Sequence, residues 1–456
     1  MFKEKYNYGK GIREKISRKS HSSWKPAADR PTVKEMIEAS NYDRLPDLIP
    51  LRHSRMSESP FVFYRATASL MARDLFSTPS TGIFIQASGD CHLKNFGGYA
   101  TPERHFVLDM NDFDETHPAH FEWDLKRLAT SFALASREKG FKETDAEDVM
   151  MTLINDYATK INEFSAMKFL DLWYLKFDLE ELQKKSKSLK VKARLAKSIQ
   201  KSHKQSHDVS FYKMTNTNMG KFVISDYPPL ILHPFDLDES MELINQFMEQ
   251  YKNTLQPDRK YLFEQYKLTD VALKVVGVGS VGTRCYIVLL LNDNNEPLFI
   301  QVKEARQSVL EQYTSPSKYN HNGERIVQGQ RLIQSASDIF LGWSTGNDGR
   351  QFYFRQLKDR KISAEIESFD KFLLKVYAGY CANVLARAHC KTGQGATICG
   401  KSAKEMLLQN PLQNFLNVTQ TRLKKIMKTF LNRLSPVRFQ SNKNLYMKLE
   451  ILQVSL

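Results

Sequence analysis

The chain has 456 residues, 41 % hydrophobic and 26 % charged, with a formal net charge of +15 at pH 7. This is an ordinary globular composition, long enough for two or three domains, and its apolar runs, such as Tyr286 to Leu291, are too short to span a bilayer. Five cysteines without a CxxC pair argue against a disulfide framework or a zinc site, and the positive charge points to an anionic partner: nucleotide, nucleic acid or anionic lipid.

The N-terminus, Met1-Phe-Lys-Glu-Lys-Tyr6, lacks the apolar segment of a secretory signal, so the expected location is cytoplasmic. Residues 1–30 read as a polar, basic arm with Trp24 as its one large anchor. A helix is expected from Thr32 to Ser40. Phe61 to Leu75 is apolar at helical spacing and reads as one buried helix. Arg52, Arg55 and Arg65 surround the turn before it. They read either as surface ion pairs or as a set from which one reaches a phosphate.

A strand over Gly82 to Gln86 leads into an acidic loop, and Phe106 to Met110 is the next strand. A helix opens at Phe121 and runs to Glu138. Its Asp124 is either a helix-terminal acid or a brace for the acidic loop through backbone N–H groups. Glu143 to Ser206 is helical in pattern and carries a basic run, Lys184 to Lys204, which reads as a solvated helix face. Nucleic acid is the less favoured partner, because the aromatic interleaving of a single-strand binder is missing there.

A hairpin over Phe211 to Ser225, a break at Asp226-Tyr-Pro-Pro229 and helices over Glu239–Thr254 and Tyr261–Tyr266 follow. Further on come a strand ending at Lys303, a helix over Gly323–Ser337, an edge strand over Phe352–Leu357 and a long helix over Ile366–Cys390. The tail, Lys401 to Leu456, is basic. Leu423, Ile426, Met427, Phe430, Leu431 and Leu434 line one helix face there, for packing on the body or against a partner or membrane.

Two constellations carry the chemistry. In Ser88-Gly-Asp-Cys-His-Leu-Lys-Asn95, Asp90 and Asn95 stand five apart, the spacing of the base Asp and metal-binding Asn in a protein-kinase catalytic loop. Asp112-Phe-Asp114 follows where such folds place a magnesium ligand, with Asp114 as an additional one. A carboxylate to orient a hydroxyl, and hard oxygen donors for Mg²⁺, are what phosphoryl transfer needs. The second constellation is Gly277, Gly279 and Gly282 as G-x-G-x-x-G, with Ser280 inside it. Its flanks, Lys274-Val-Val and Cys285-Tyr-Ile-Val-Leu, are β-type, so it reads as a strand–loop–strand cover over a polyphosphate and not as a dinucleotide fingerprint. Lys303 then stands where a kinase keeps its phosphate-binding lysine, and Glu324 is the expected partner that orients it, or else a helix N-terminal acid.

These motifs resemble the bacterial family known as domain of unknown function 2252, from about Gly9 to Gly400. The resemblance rests on Pro60-Phe-Val-Phe-Tyr-Arg65, Gly89-Asp-Cys-His-Leu-Lys-Asn-Phe-Gly97, Asn111-Asp-Phe-Asp-Glu115, Trp123-Asp-Leu-Lys-Arg127, Lys274 to Arg284, Gln301-Val-Lys-Glu-Ala305 and Leu385-Ala-Arg-Ala-His389. It departs from that pattern at Ala66, at Gln394 in place of a carboxylate, and beyond Gly400. More loosely, the motifs resemble the protein-kinase-like and aminoglycoside-phosphotransferase superfamily, with the motif order permuted.

The expectation is therefore an α+β, two-lobed, kinase-like fold, circularly permuted. A helical lobe over 31–265 would carry the catalytic and metal loops, a glycine-loop β lobe would span 266–360, a helix over 361–400 would return to the helical lobe, and 401–456 would be a divergent tail. The expected function is ATP- and Mg²⁺-dependent phosphotransfer to an unknown small-molecule or protein hydroxyl. The alternative is a non-catalytic nucleotide- or nucleic-acid-binding module.

Overall fold

A computed structural model of the chain describes residues 2–16, 20, 27–203, 207–218, 220–234, 237–357 and 360–402. Trp24 and the amphipathic face of the tail lie outside them. The fold is α+β, and its sheets are antiparallel. The largest sheet has six strands in the order Gly342–Thr345, Gln351–Gln356, Pro297–Glu304, Cys285–Leu291, Lys267–Lys274 and Ile231–Leu232. Cys285–Leu291 is almost continuously apolar because both faces of this sheet are covered. Tyr286, Val288 and Leu290 pack with Phe247, Tyr251 and Phe354 on one face, and Ile287 and Leu289 with Phe211 and Phe299 on the other.

Two expectations change here. Gln351–Gln356 is not an edge strand, since it pairs on both sides; the edge is the short Gly342–Thr345. The boundary expected between 265 and 266 falls inside one packing unit. Helices Leu237–Lys252 and Pro257–Phe263 lay Ile244, Phe247, Tyr251 and Phe263 on the sheet.

The helical layer is built from Phe121–Glu138, Glu143–Ser165 and Lys371–His389. The first is buried from Phe121 to Ser136, charged residues included. Buried charges persist only when partnered, and these hold neighbouring loops: Glu122 accepts from Thr81 N–H at 2.7 Å, and Lys126 donates to Thr78 Oγ1 at 3.2 Å. The single helix expected over Phe61–Leu75 is two, Pro60–Arg65 and Ala68–Phe76. Thr67 Oγ1 bonds the carbonyls of Phe63 and Tyr64 at 3.0 and 3.2 Å, so its side chain takes the place of helix continuation.

Small sheets set the acidic loops. Phe84–Ala87 pairs with His117–His120, and Phe96–Ala100 with Phe106–Met110. Phe96 faces Met110, so Asn95 and Asn111 lie side by side, with Asn111 N–H donating to the Asn95 carbonyl at 3.0 Å. Behind them, the fully buried pair Arg387–Asp109 ties the Lys371–His389 helix to the strand at 2.7 Å, and Ser335 N–H and Oγ saturate the other Asp109 oxygen, each at 2.8 Å.

The described part of the N-terminal arm lies on the body of the protein, as a helix. Phe2–Lys15 is a helix packed on Gly395–Ser402, and small residues make the contact. A Cβ on Gly9 would stand 2.0 Å from the Thr397 carbonyl oxygen, and one on Gly400 2.0 Å from that of Tyr6. Gly9→Val should therefore separate the two helices and cost about 1–3 kcal/mol, read as a fall in the urea midpoint. Wild-type stability with unchanged amide protection over Phe2–Lys15 would contradict this packing.

Candidate active site

The Asp90 loop is fixed from beneath. Asp124, on the first turn of its helix, accepts from the backbone N–H groups of Ser88 at 2.7 Å and Gly89 at 3.1 Å, so of its two readings the brace is the one realised. His389 lies under this brace, with Nε2 3.6 Å from Asp124 and Nδ1 2.7 Å from the Tyr157 hydroxyl; it does not line the cleft described below. Gly89 has φ +84°, and a Cβ there would stand 2.2 Å from the Glu115 carbonyl oxygen. Glycine alone allows this turn and this contact between the two acidic loops.

Asp90 Oδ1 accepts from Arg127 Nε at 2.6 Å. Arg127 is buried, donates to the Tyr64 carbonyl at 3.1 Å and stacks 4.4 Å from the Tyr64 ring centroid. The other oxygen, Oδ2, is 3.8 Å from His92 Nε2. Burial lowers the His92 pKa to about 3, against the pull of Asp90, so the imidazole is neutral at pH 7. Asn95 donates through Nδ2 to the Asp90 carbonyl at 2.8 Å, which leaves its amide oxygen for another partner.

Lys303 reaches the second acidic loop. Its ammonium donates to Asp114 Oδ2 at 2.6 Å, and the Tyr353 hydroxyl donates to Oδ1, also at 2.6 Å. Sheet register explains this convergence: Lys303 faces Tyr353 on the adjacent strand, so both side chains leave the same face. Burial disfavours the Lys303 charge, but Asp114, Tyr353 and Asp112 outweigh it, and the pKa is raised well above the ordinary lysine value.

Two expected roles are thereby corrected. Glu324 does not orient Lys303. It sits in the first turn of Asn322–Ile333, its N–H 3.3 Å from the capping His321 Nδ1. The next residue, Arg325, faces inward and donates to the carbonyls of Asp114 at 2.9 Å and Arg306 at 2.8 Å. Asp114 is not a free metal ligand, because both its oxygens already accept short hydrogen bonds.

The two constellations meet in a cleft of about 840 Å³. Asp90, Asn95, Asp112, Asp114, Gly277, Gly279, Ser280 and Lys303 line it; Gly282 and Glu324 do not. Gly282, at φ +85°, turns the loop against Arg44. Asp112 makes only a long 3.5 Å contact, from Asp114 N–H to its Oδ1, so among the described residues its carboxylate is largely unengaged.

Arg44 is the site residue that local reading leaves out, and Arg55 takes neither of the two roles expected of it. Arg44 donates to the carbonyls of Val281 at 2.5 Å and Gly279 at 2.9 Å, and Arg55 to that of Val276 at 2.8 Å. They clamp the glycine loop from a segment more than 200 residues earlier in the chain. Arg52 is buried and spent on Asn41, Ser40 and the Ala66 carbonyl. None of these three is a surface ion pair. Gln394 lies off the cleft, 3.2 Å from Thr397 Oγ1.

The basic run behaves as a helix face. Leu189–His203 buries Val191 and Ile199, and its Lys190 and Lys201 pair with Asp370 and Glu365. No helix among the described residues is long and apolar enough to cross a membrane.

The family model described as an uncharacterized protein conserved in bacteria, DUF2252, matches residues 44–433, and the chain belongs to that family. The match begins well after Gly9 and continues past Gly400, into the stretch read from the sequence as divergent tail. No curated protein and no solved structure matches the chain.

Asp124→Ala should leave two loop N–H groups without acceptors, at a cost of roughly 1–3 kcal/mol, and speed amide exchange at Ser88 and Gly89. Unchanged exchange at these two amides would show that the loop is held by other means.

Proposed function

We propose that this protein is a kinase-like phosphotransferase that uses ATP with Mg²⁺, built on a circularly permuted two-lobed plan. The observation that carries the reading is the shared cleft. Lys303 and the glycines approach from the sheet, and Asp90, Asn95 and Asp112 approach from loops of the helical layer, with 189 residues separating Lys303 from its partner Asp114. The donor chemistry fits Mg²⁺: one largely unengaged carboxylate on Asp112 and the free amide oxygen of Asn95. Among the described residues, no group of three or more His, Cys, Asp or Glu is placed to hold a metal alone. That suits an ion held by one or two protein oxygens together with substrate phosphates.

When bound, Mg²⁺ and ATP would supply the transferable phosphoryl group and part of the charge neutralisation it needs. The chain supplies the rest. Gly277 and Gly279 line the cleft, where their backbone N–H groups would meet a polyphosphate. The Lys303 ammonium, kept charged by Asp114, offers donors to phosphate oxygens. Arg127 fixes Asp90 Oδ1, which leaves Oδ2 to take the proton of an acceptor hydroxyl. Neutral His92 does not compete for that oxygen as a cation. The acceptor is a hydroxyl on a small molecule or a protein, and a metabolite-phosphorylation screen is the route to it.

Mg·ATP at 100 times its dissociation constant should stabilise the protein by about 2.7 kcal/mol. Asp112→Ala should lower turnover on the order of a thousandfold. No nucleotide-dependent thermal shift, or full turnover in Asp112→Ala, would overturn the reading. A salt-sensitive shift with RNA or DNA in its place would favour a nucleic-acid-binding module.

A further inference from the structure

Arg65 stands apart from the other cations of the cleft. Arg44, Arg52, Arg306 and Arg355 also line it, and each donates to protein acceptors; Lys303 donates to Asp114. Arg65 lines the same cavity, yet none of its side-chain donors meets an acceptor among the described residues; its Nε is buried without a partner, as is that of Arg52, whose other nitrogens are bonded. A guanidinium carries five N–H donors in a rigid fork; Arg65 is half-buried, and its Nε is withdrawn from water without an acceptor, which is unfavourable. The position argues for an acceptor that arrives with a ligand.

Its surroundings say which ligand. Arg65 closes the Pro60–Arg65 helix, and its backbone carbonyl lies beneath the glycine loop, 3.4 Å from where a Cβ on Gly279 would stand. On the other side are the two acids of the cleft floor. Burial lowers the Arg65 pKa, and Asp90 and Asp112 are the foremost groups pulling it back. Arg65 therefore lines one cleft with the glycine loop on one side and Asp90 and Asp112 on the other. That is the level at which a terminal phosphoryl group would sit, with the acceptor hydroxyl at Asp90. Arg52 and Arg55, its two companions in the sequence, are committed to protein carbonyls and side chains.

We propose that Arg65 is the anion receptor for the terminal phosphoryl group of the bound nucleoside triphosphate. It acts as an arginine supplied from within the chain that binds the equatorial oxygens through its planar fork. This rests on the phosphotransferase reading and adds a binding role that reading does not require. It makes a distinct demand: Arg65 should distinguish a triphosphate from a diphosphate, whereas Lys303 and the glycine loop should support both.

The test is calorimetric binding of the β,γ-imido analogue of ATP and of ADP, each with Mg²⁺, to wild type, Arg65→Ala and Arg65→Lys. Wild type should prefer the triphosphate. Arg65→Ala should weaken the triphosphate roughly 10- to 100-fold and leave ADP within about twofold, the size expected for lost hydrogen bonds to a charged group. Arg65→Lys should restore part of the loss, since it keeps the charge but not the fork. Because the guanidinium has no protein acceptor, unliganded Arg65→Ala should melt close to wild type. Should it fail to fold, the comparison rests on Arg65→Lys. Equal weakening of both nucleotides, or of neither, overturns the proposal while leaving nucleotide binding in place. Absence of binding by wild type overturns the phosphotransferase reading itself, and this inference with it.

Discussion

The contact on which the site depends is the one between Lys303 and Asp114. A lysine near the end of an apolar strand is withdrawn from water and is 4 % exposed, and in that setting burial alone would favour the neutral amine. Asp114 reverses this, with Tyr353 completing its second oxygen. A partnered charge in such a setting is costly to separate, because either half left alone is a buried uncompensated ion. The pair therefore holds the sheet to the acidic loops in one orientation. The packing is consistent with this. Val278 and Tyr353 of the sheet region share an apolar cluster with Phe61, Leu93 and Leu374 of the helical layer.

The helix Phe121–Glu138 supplies the corresponding order from below. Its buried face carries Asp124 under the loop backbone and Arg127 against Asp90. In an exposed helix these charges would stabilise little. Here each is buried against one acceptor or donor set, and the effect is a loop whose carboxylate and amide have fixed directions. Rigidity of this kind is what a phosphoryl-transfer site needs, since its chemistry is mostly positioning and charge stabilisation. Arg44 and Arg55 treat the glycine loop in the same way, through its carbonyls, while Ser280 N–H closes the loop on the Gly277 carbonyl at 2.9 Å.

Much of this was legible where the determining contacts are local. The Asp90–Asn95 spacing is a loop property, and the loop closes on itself through Asn95 Nδ2 and the Asp90 carbonyl. The β-branched and aromatic flanks of the glycines separated a hairpin from a strand–helix turn, and the sheet places them so. What was not legible depends on docking. Glu324 and Arg325 are neighbours in sequence, and only the roll of their helix decides that the arginine faces the loops. Asp114 reads as a metal ligand until a lysine 189 residues away reaches it. Nothing near Arg44 marks it as a partner of Gly279, and nothing in a polar N-terminus marks Gly9 as the place where a second helix passes. The Thr67 break was local but concealed, because the apolar spacing continues across it.

The central claim is that the sheet-borne glycine loop and the loops of the helical layer serve one nucleotide. Hydrogen–deuterium exchange with and without Mg·ATP tests it most directly, since backbone amides on both sides of the cleft report independently. The account predicts protection that appears together, and with the same nucleotide dependence, over 276–282, 88–95 and 111–115. Protection confined to one of these walls, or at neither, would contradict it.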